Sequence, residues 1–215
     1  MVNLGDIFPN FEAETTDGKI KFHDWLGESW GILFSHPRDY TPVCTTELGR
    51  AAALAPQFEK RGCKLIALSC DALDDHHGWI EDIKAYNKLS EFPYPIIADD
   101  KRALAVQLGM IDPDEQGADG MPYTCRAVFV VGPDKKLKLS MLYPATTGRN
   151  FDEILRALDS LQLTATQKVA TPADWTKGSA CMVLPSVSPD DAKQLFPEHV
   201  CHPVPSGKTY LRTTK

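Results

Sequence analysis

The chain has 215 residues, 43% hydrophobic and 24% charged, with a formal net charge of −6. That length can bury a full core, and a negative balance without a long Lys/Arg run counts against a general nucleic-acid or anionic-membrane binder. The opening Met1-Val2-Asn3-Leu4-Gly5-Asp6 lacks a secretory-signal pattern, no apolar run reaches membrane-span length, and a cytoplasmic protein is expected.

In chain order, the apolar run Trp30–Ser35 predicts a buried strand ended by His36-Pro37. Thr41-Pro42 then opens a helix, Thr as N-cap and Pro in the first helical position. Leu48, Ala52, Ala55 and Phe58 continue it at helical spacing, and Gly62 closes it. Lys64–Cys70 reads as a second buried strand. A helix over 74–89 follows, with Trp79, Ile83 and Tyr86 on one side, then a strand at Pro95–Ala98 and a short helix at Lys101–Leu108. Arg126–Val131 and Leu137–Leu142 form a strand pair joined by the turn Gly132-Pro133-Asp134-Lys135. Asn150 and Glu153 have capping-box spacing before an amphipathic helix carrying Phe151, Ile154, Leu155, Leu158 and Leu161.

This alternation predicts an α/β fold, a sheet flanked by helices. From about Thr164 prolines become frequent and periodicity fades. The expected organisation is therefore a first domain over 1–163 and a small C-terminal domain or arm over 164–215.

Six cysteines without a C-x-x-C pair do not read as a secreted disulfide framework, a dithiol redox motif or a paired-cysteine zinc site. Cys63, Cys70, Cys125, Cys181 and Cys201 read as small hydrophobes. Cys44 differs because the predicted helix puts it in the first turn, where unpaired N–H groups and the positive end of the macrodipole favour an anion. Only the thiolate is a good nucleophile, so that location favours reactivity. Attack on a peroxide also needs donors that orient the O–O bond and stabilise the departing oxygen. Thr41 can offer a hydroxyl across the same turn, and an arginine would suit the rest, although spacing alone does not say which one.

Pro37-Arg38-Asp39-Tyr40-Thr41-Pro42-Val43-Cys44 matches the P-x-x-x-T-x-x-C signature of peroxiredoxins. With the flanks Phe34-Ser35-His36 and Thr45-Thr46-Glu47-Leu48, it resembles the one-cysteine, peroxiredoxin-six branch. The likeness extends through Gly120-Met121-Pro122, Phe129–Asp134, Leu142–Asn150 and the tail, nearly the whole chain. The resemblance implies a thioredoxin-like core, a C-terminal domain that helps form a homodimer, and thiol peroxidase chemistry with no bound cofactor. Cys44 would be the peroxidatic cysteine, Thr41 and Arg126 would position peroxide and support the thiolate, Pro37 would shield the site, and His36 would be a nearby polar residue. No second cysteine lies in the Val-Cys-Pro context of two-cysteine relatives, so the sulfenic acid is expected to be reduced by an external thiol. The branch is associated with glutathione, often delivered by a glutathione transferase. Cys125, beside Arg126, is the one internal thiol left open as a partner, although strand neighbours point to opposite faces.

Gly27-Glu28-Ser29-Trp30-Gly31 matches G-x-S-x-G but precedes a strand, whereas a hydrolase elbow follows one; a surface turn is the local reading. The same resemblance implies a secondary calcium-independent phospholipase A2 activity with transient phospholipid contact, for which Ser29, His23 and Asp134 are the matching residues. Glu28 stands where the branch's acyltransferase motif has Asp, which counts against that further activity. His76-His77 reads as a solvated pair, His199, Cys201 and His202 make weak zinc evidence, and no metal is expected. The competing expectations are thus a lipid hydrolase at Ser29 and a non-catalytic redox-sensing or binding protein.

Overall fold

In the computed structural model, which describes residues 2–117 and 120–215, the first strands form a hairpin, β1 (Glu12–Thr15) and β2 (Gly18–Lys21). A short helix, α1 (Phe22–Leu26), leads into β3 (Trp30–Ser35), and α2 (Pro42–Glu59) connects β3 to the parallel strand β4 (Cys63–Ser69). Next come α3 (Leu73–Asn87), β5 (Ile96–Ala98) parallel to β4, α4 (Ala103–Gln107) and the small hairpin β6 (Ile111–Gln116)–β7 (Pro122–Thr124). The antiparallel pair β8 (Arg126–Val131)–β9 (Leu137–Tyr143) completes a seven-stranded sheet ordered β2-β1-β5-β4-β3-β8-β9. The expected strands and helices of this region are present. The β1–β2 hairpin, α1 and the β6–β7 hairpin are additional; their segments are short and carry little apolar periodicity.

Strand alternation sorts the sheet into two faces. Leu33 of β3, Ile66 and Leu68 of β4, and Ala127, Phe129 and Val131 of β8 join Phe8, Phe22 and Leu26 in one buried cluster. Arg126, Val128 and Val130 therefore point to the opposite face. Helices α2 and α3 pack together: Trp79 donates its indole N–H to Thr45 Oγ1 at 3.2 Å, and Asn87 Nδ2 donates to the Thr45 carbonyl at 3.1 Å. Gly49 permits this approach, since a Cβ there would lie 2.0 Å from the Asn87 side chain.

Trp79 and Ile83 are buried as expected, while Tyr86 is 67% exposed and lines a surface groove beside Trp79, Tyr40 and Thr41. Seven residues beyond Trp79, an ideal helix has turned about 20° short of two full turns, so Tyr86 stays on the same side of α3 and faces the groove rather than the core. His76 is a larger correction, because it is fully buried rather than solvated, while His77 is exposed. Its i+3 relation to Trp79 puts both on the packed face.

Contacts divide the chain into two compact units, Met1–Phe151 and Asp152–Lys215. The amphipathic helix α5 (Phe151–Thr166) thus goes with the tail rather than closing the first unit. The tail is more regular than its composition suggests: β10 (Val169–Ala170), β11 (Cys181–Val183), β12 (Val200–Cys201) and β13 (Arg212–Thr214) form a sheet ordered β10-β11-β13-β12, with α6 (Pro189–Leu195) between β11 and β12. Val169, Trp175 and Cys181 make one small core there, and Val183, Val187 and Ala192 another. Strands of two or three residues leave almost no period-2 signal, which explains why they escape sequence patterning. Among the described residues no helix is long and apolar enough to cross a membrane.

Leu33 is fully buried at the centre of the sheet. Leu33→Ala is expected to lower stability by about 2–5 kcal/mol through lost burial and a residual cavity, read as a lower denaturation midpoint in urea.

Candidate active site

Cys44 is the third residue of α2, with Pro42 in the first turn and Thr41 extended at the N-cap. The chain reaches the helix through Tyr40, whose φ of 54° is unusual for a bulky residue. Its hydroxyl lies against Gly78, where a Cβ would sit 2.5 Å away. A sterically costly turn held by packing thus delivers the cysteine to the N-terminal end of the helix.

The Cys44 side chain is fully buried. Arg126, on the α2 face of β8, donates from Nη1 to Cys44 Sγ at 3.3 Å and to Glu47 Oε2 at 2.8 Å. Its Nε and Nη2 donate to the Ala145 carbonyl at 3.0 and 2.5 Å. Glu47 lies three residues beyond Cys44, on the same side of α2. Arg149 closes the group: its backbone N–H and Nε reach Glu47 Oε1 at 2.7 and 2.9 Å, and its Nη2 reaches Oε2 at 2.7 Å. The Arg149 guanidinium also lies over the rings of Phe34 and Phe151. Burial pushes the Glu47 carboxyl upward, but the charge and hydrogen bonds of Arg149, with the charge of Arg126, outweigh it and hold Glu47 below its ordinary value. One carboxylate thus fixes two guanidinium groups, and one of these faces sulfur.

Thr41 lies in the same turn, but its hydroxyl does not cap the helix; it donates to the Arg38 carbonyl at 2.8 Å. The Thr41 oxygen is consequently oriented as an acceptor. Thr45 occupies the Thr41 carbonyl through both N–H and Oγ1. Pro37 is buried.

His36 is fully buried too, and its Nε2 lies 2.7 Å from Asp39 Oδ1. Asp39 Oδ2 meets His76 Nδ1 at 2.5 Å, while Asp71 accepts the Asp39 backbone N–H and the Ser69 hydroxyl. Burial raises the Asp39 carboxyl, yet the hydrogen bonds and charges of His36 and His76 bring it well below the usual carboxylate range. Asp71 shifts upward, through burial and then the Asp39 charge. Ligand-type atoms of His36, Asp39 and Asp71 lie within 4.8 Å of one another, and all three side chains are engaged in this hydrogen-bond network.

Ser29, His23 and Asp134 are not brought together by hydrogen bonds among the described residues. His23 Nε2 lies 2.7 Å from the Phe8 carbonyl, and Asp134 pairs with Lys138 at 2.6 Å. Ser29 sits in the turn between α1 and β3, where its N–H bonds the Leu26 carbonyl. The order is helix, turn, strand, the reverse of a hydrolase elbow.

Cys125 belongs to the core cluster on the sheet face opposite Arg126. Burial raises its thiol, and burial pushes those of Cys63 and Cys70 up to about 12. All six cysteines are unpaired. His199 Nδ1 and His202 Nε2 are engaged with the Phe196 carbonyl and Thr213 Oγ1. The residues missed in the sequence are Glu47, Arg149, Asp39 and His76. For Glu47 a signal existed: a carboxylate on the stripe shared by Cys44, Leu48 and Ala51 must be buried and therefore paired.

This sheet order, with a cysteine opening the helix after the interior strand β3, defines the class: a thioredoxin-like protein built for thiol chemistry. The model of the AhpC/TSA family matches residues 4–140, and that of the C-terminal domain of 1-Cys peroxiredoxin matches residues 160–199. Peroxiredoxin-6 of Gallus gallus is 66% identical over 215 residues, and that of Homo sapiens 64%, each alignment covering 98% of this chain and 96% of the relative. Among solved structures, a cysteine-to-serine mutant of the peroxiredoxin 6 of Arenicola marina superposes with a TM-score of 0.98 at 66% identity, covering 100% of this chain and 98% of the other. A yeast mitochondrial 1-Cys peroxiredoxin, described by its thiol resolving mechanism via glutathione/thioredoxin systems, gives 0.91 at 45% identity with full coverage of both chains. The chain belongs to the AhpC/TSA family, in its one-cysteine, peroxiredoxin-6 branch, and is a thiol peroxidase.

Glu47→Gln leaves two buried guanidinium charges uncompensated and is expected to cost about 3–5 kcal/mol of stability at neutral pH. Because the folded Glu47 carboxyl is held below its ordinary value of 4.5, its contribution is full above that value and lost as pH falls through the folded one. The gap between wild type and variant in chemical denaturation should therefore narrow in acid.

Proposed function

We propose that Cys44 is the peroxidatic nucleophile and that Arg126 and Thr41 are its catalytic partners. The observation that carries this is the Arg126 N–H directed at a buried Sγ in the first turn of α2. The Cys44 thiolate attacks one peroxide oxygen, an S–O bond forms and the O–O bond breaks. Sulfur loses two electrons, and the departing oxygen leaves as water or alcohol once protonated. Arg126 stabilises the negative charge that moves from sulfur to the departing oxygen. Thr41 Oγ1, its own proton committed to Arg38, accepts a hydrogen bond from the peroxide O–H and orients it. Hydrogen peroxide and organic hydroperoxides are the substrate class.

The sulfenic acid is recycled by an external thiol, glutathione being the reductant we infer. One thiol displaces water to form a mixed disulfide, and a second releases Cys44. Support comes from Cys125 lying on the opposite sheet face and from the resolving systems named for the yeast relative. Because Sγ is fully buried, the first turn of α2 must open for the thiol to reach it. Six unpaired cysteines fit a reducing, cytoplasmic setting. A homodimer is supported by β9, an edge strand that leaves Leu142 61% exposed.

Peroxide consumption with glutathione should vanish in Cys44→Ser. Arg126→Lys keeps a charge but not the planar fork, and its rate of Cys44 oxidation should fall by about 10²-fold. Full activity in Cys44→Ser would refute the assignment.

A further inference from the structure

The second unit contains a cavity of about 560 Å³, and its wall carries Lys193, His199, Lys208 and Arg212 but no carboxylate. In a chain of net charge −6, three cations, Lys193, Lys208 and Arg212, thus share one wall. Arg212 is only 5% exposed. Its Nη2 donates to the carbonyls of Leu184 and Val187 at 2.9 and 2.8 Å, while its buried Nε has no partner among the described residues. A buried guanidinium is costly unless a counter-charge offsets it, and among the described residues Arg212 has no ion pair, its Nη2 meeting carbonyl dipoles. The β12–β13 register sets Cys201 opposite Arg212, and both line the cavity. Of the acids of α6, Asp191 is engaged with Ser188, and Asp190 pairs with Lys193 of the wall in an exposed contact that binds weakly. The remaining wall is largely apolar, with Pro185, Val187 and Pro189 contributing.

We propose that this cavity binds a small organic oxyanion, a phosphate monoester or carboxylate, whose head neutralises the Arg212 side between Lys193 and Lys208 and whose alkyl or aryl body covers the prolines and Val187. The volume is that of an ordinary small-molecule site, and a few charged groups set in an apolar wall give such sites their orientation. The site lies wholly within residues 185–212, and its lining shares no residue with the group around Cys44.

Isothermal titration of the full chain with hexyl phosphate tests the proposal, with inorganic phosphate and hexanol as the two halves of the ligand. Wild type should bind one hexyl phosphate per chain, and either half alone should bind far more weakly. Lys193→Ala/Lys208→Ala, both exposed, should weaken binding by about tenfold through loss of charge-assisted contacts, with peroxidase activity and circular dichroism unchanged. Arg212→Gln should abolish binding; if that variant does not fold, the double variant decides. No binding by wild type, equal binding by the double variant, or inorganic phosphate binding as tightly as hexyl phosphate would each overturn the proposal.

Discussion

The site depends on one buried carboxylate. Glu47 accepts from Arg126 and from three N–H groups of Arg149, so that β8, α2 and the segment before α5 meet at a single side chain. Without it, two guanidinium groups would share a low-dielectric space with nothing to hold them apart or aim them. With it, Arg126 is fixed by two acceptors, Glu47 and the Ala145 carbonyl, and presents an N–H to sulfur at little entropic cost. Preorganisation of this kind makes an electrostatic donor effective, because nothing must reorganise as charge moves.

A second buried network supports the other side of the same turn. Asp39 links His36, at the end of β3, to His76 on α3, and Asp71 holds the Asp39 backbone. The ring of His36 lies 5.0 Å from that of Trp79, whose indole holds Thr45 in the first turn of α2. The segment from Pro37 to Thr41 is therefore tied to both α3 and the sheet, which keeps Tyr40 in its strained conformation. Opening this turn to admit a thiol would disturb packing and hydrogen bonds together, whereas a small peroxide needs far less movement.

Much of the first unit was legible because long buried strands and the α2 pattern carry strong periodicity. Cys44 and Thr41 lie in a sequence signature, whereas the role of Arg126 came only from the family resemblance, since spacing alone would have left it an ordinary strand residue. What escaped notice was polar and tertiary: Glu47 and Arg149 are paired across 102 positions, and Asp39 with His76 across 37. No local pattern signals such a pair; only the rule that buried charges must be matched would have prompted a search. His76 was misread for the same reason, since its burial follows from the α2–α3 contact. The Thr41 hydroxyl shows the limit of residue-type reasoning, as a good N-capping residue here spends its proton on Arg38. In the tail, very short strands and many prolines concealed a four-stranded sheet.

Peroxidase chemistry at a single cysteine with no internal partner is the central claim. Its most direct test is intact-mass spectrometry after one equivalent of hydrogen peroxide, with a sulfenic-acid trap present and peptide mapping of the product. The account predicts rapid trapping at Cys44 alone, with Cys125 remaining a free thiol. A disulfide between Cys44 and Cys125, or oxidation that begins at another cysteine, would contradict it.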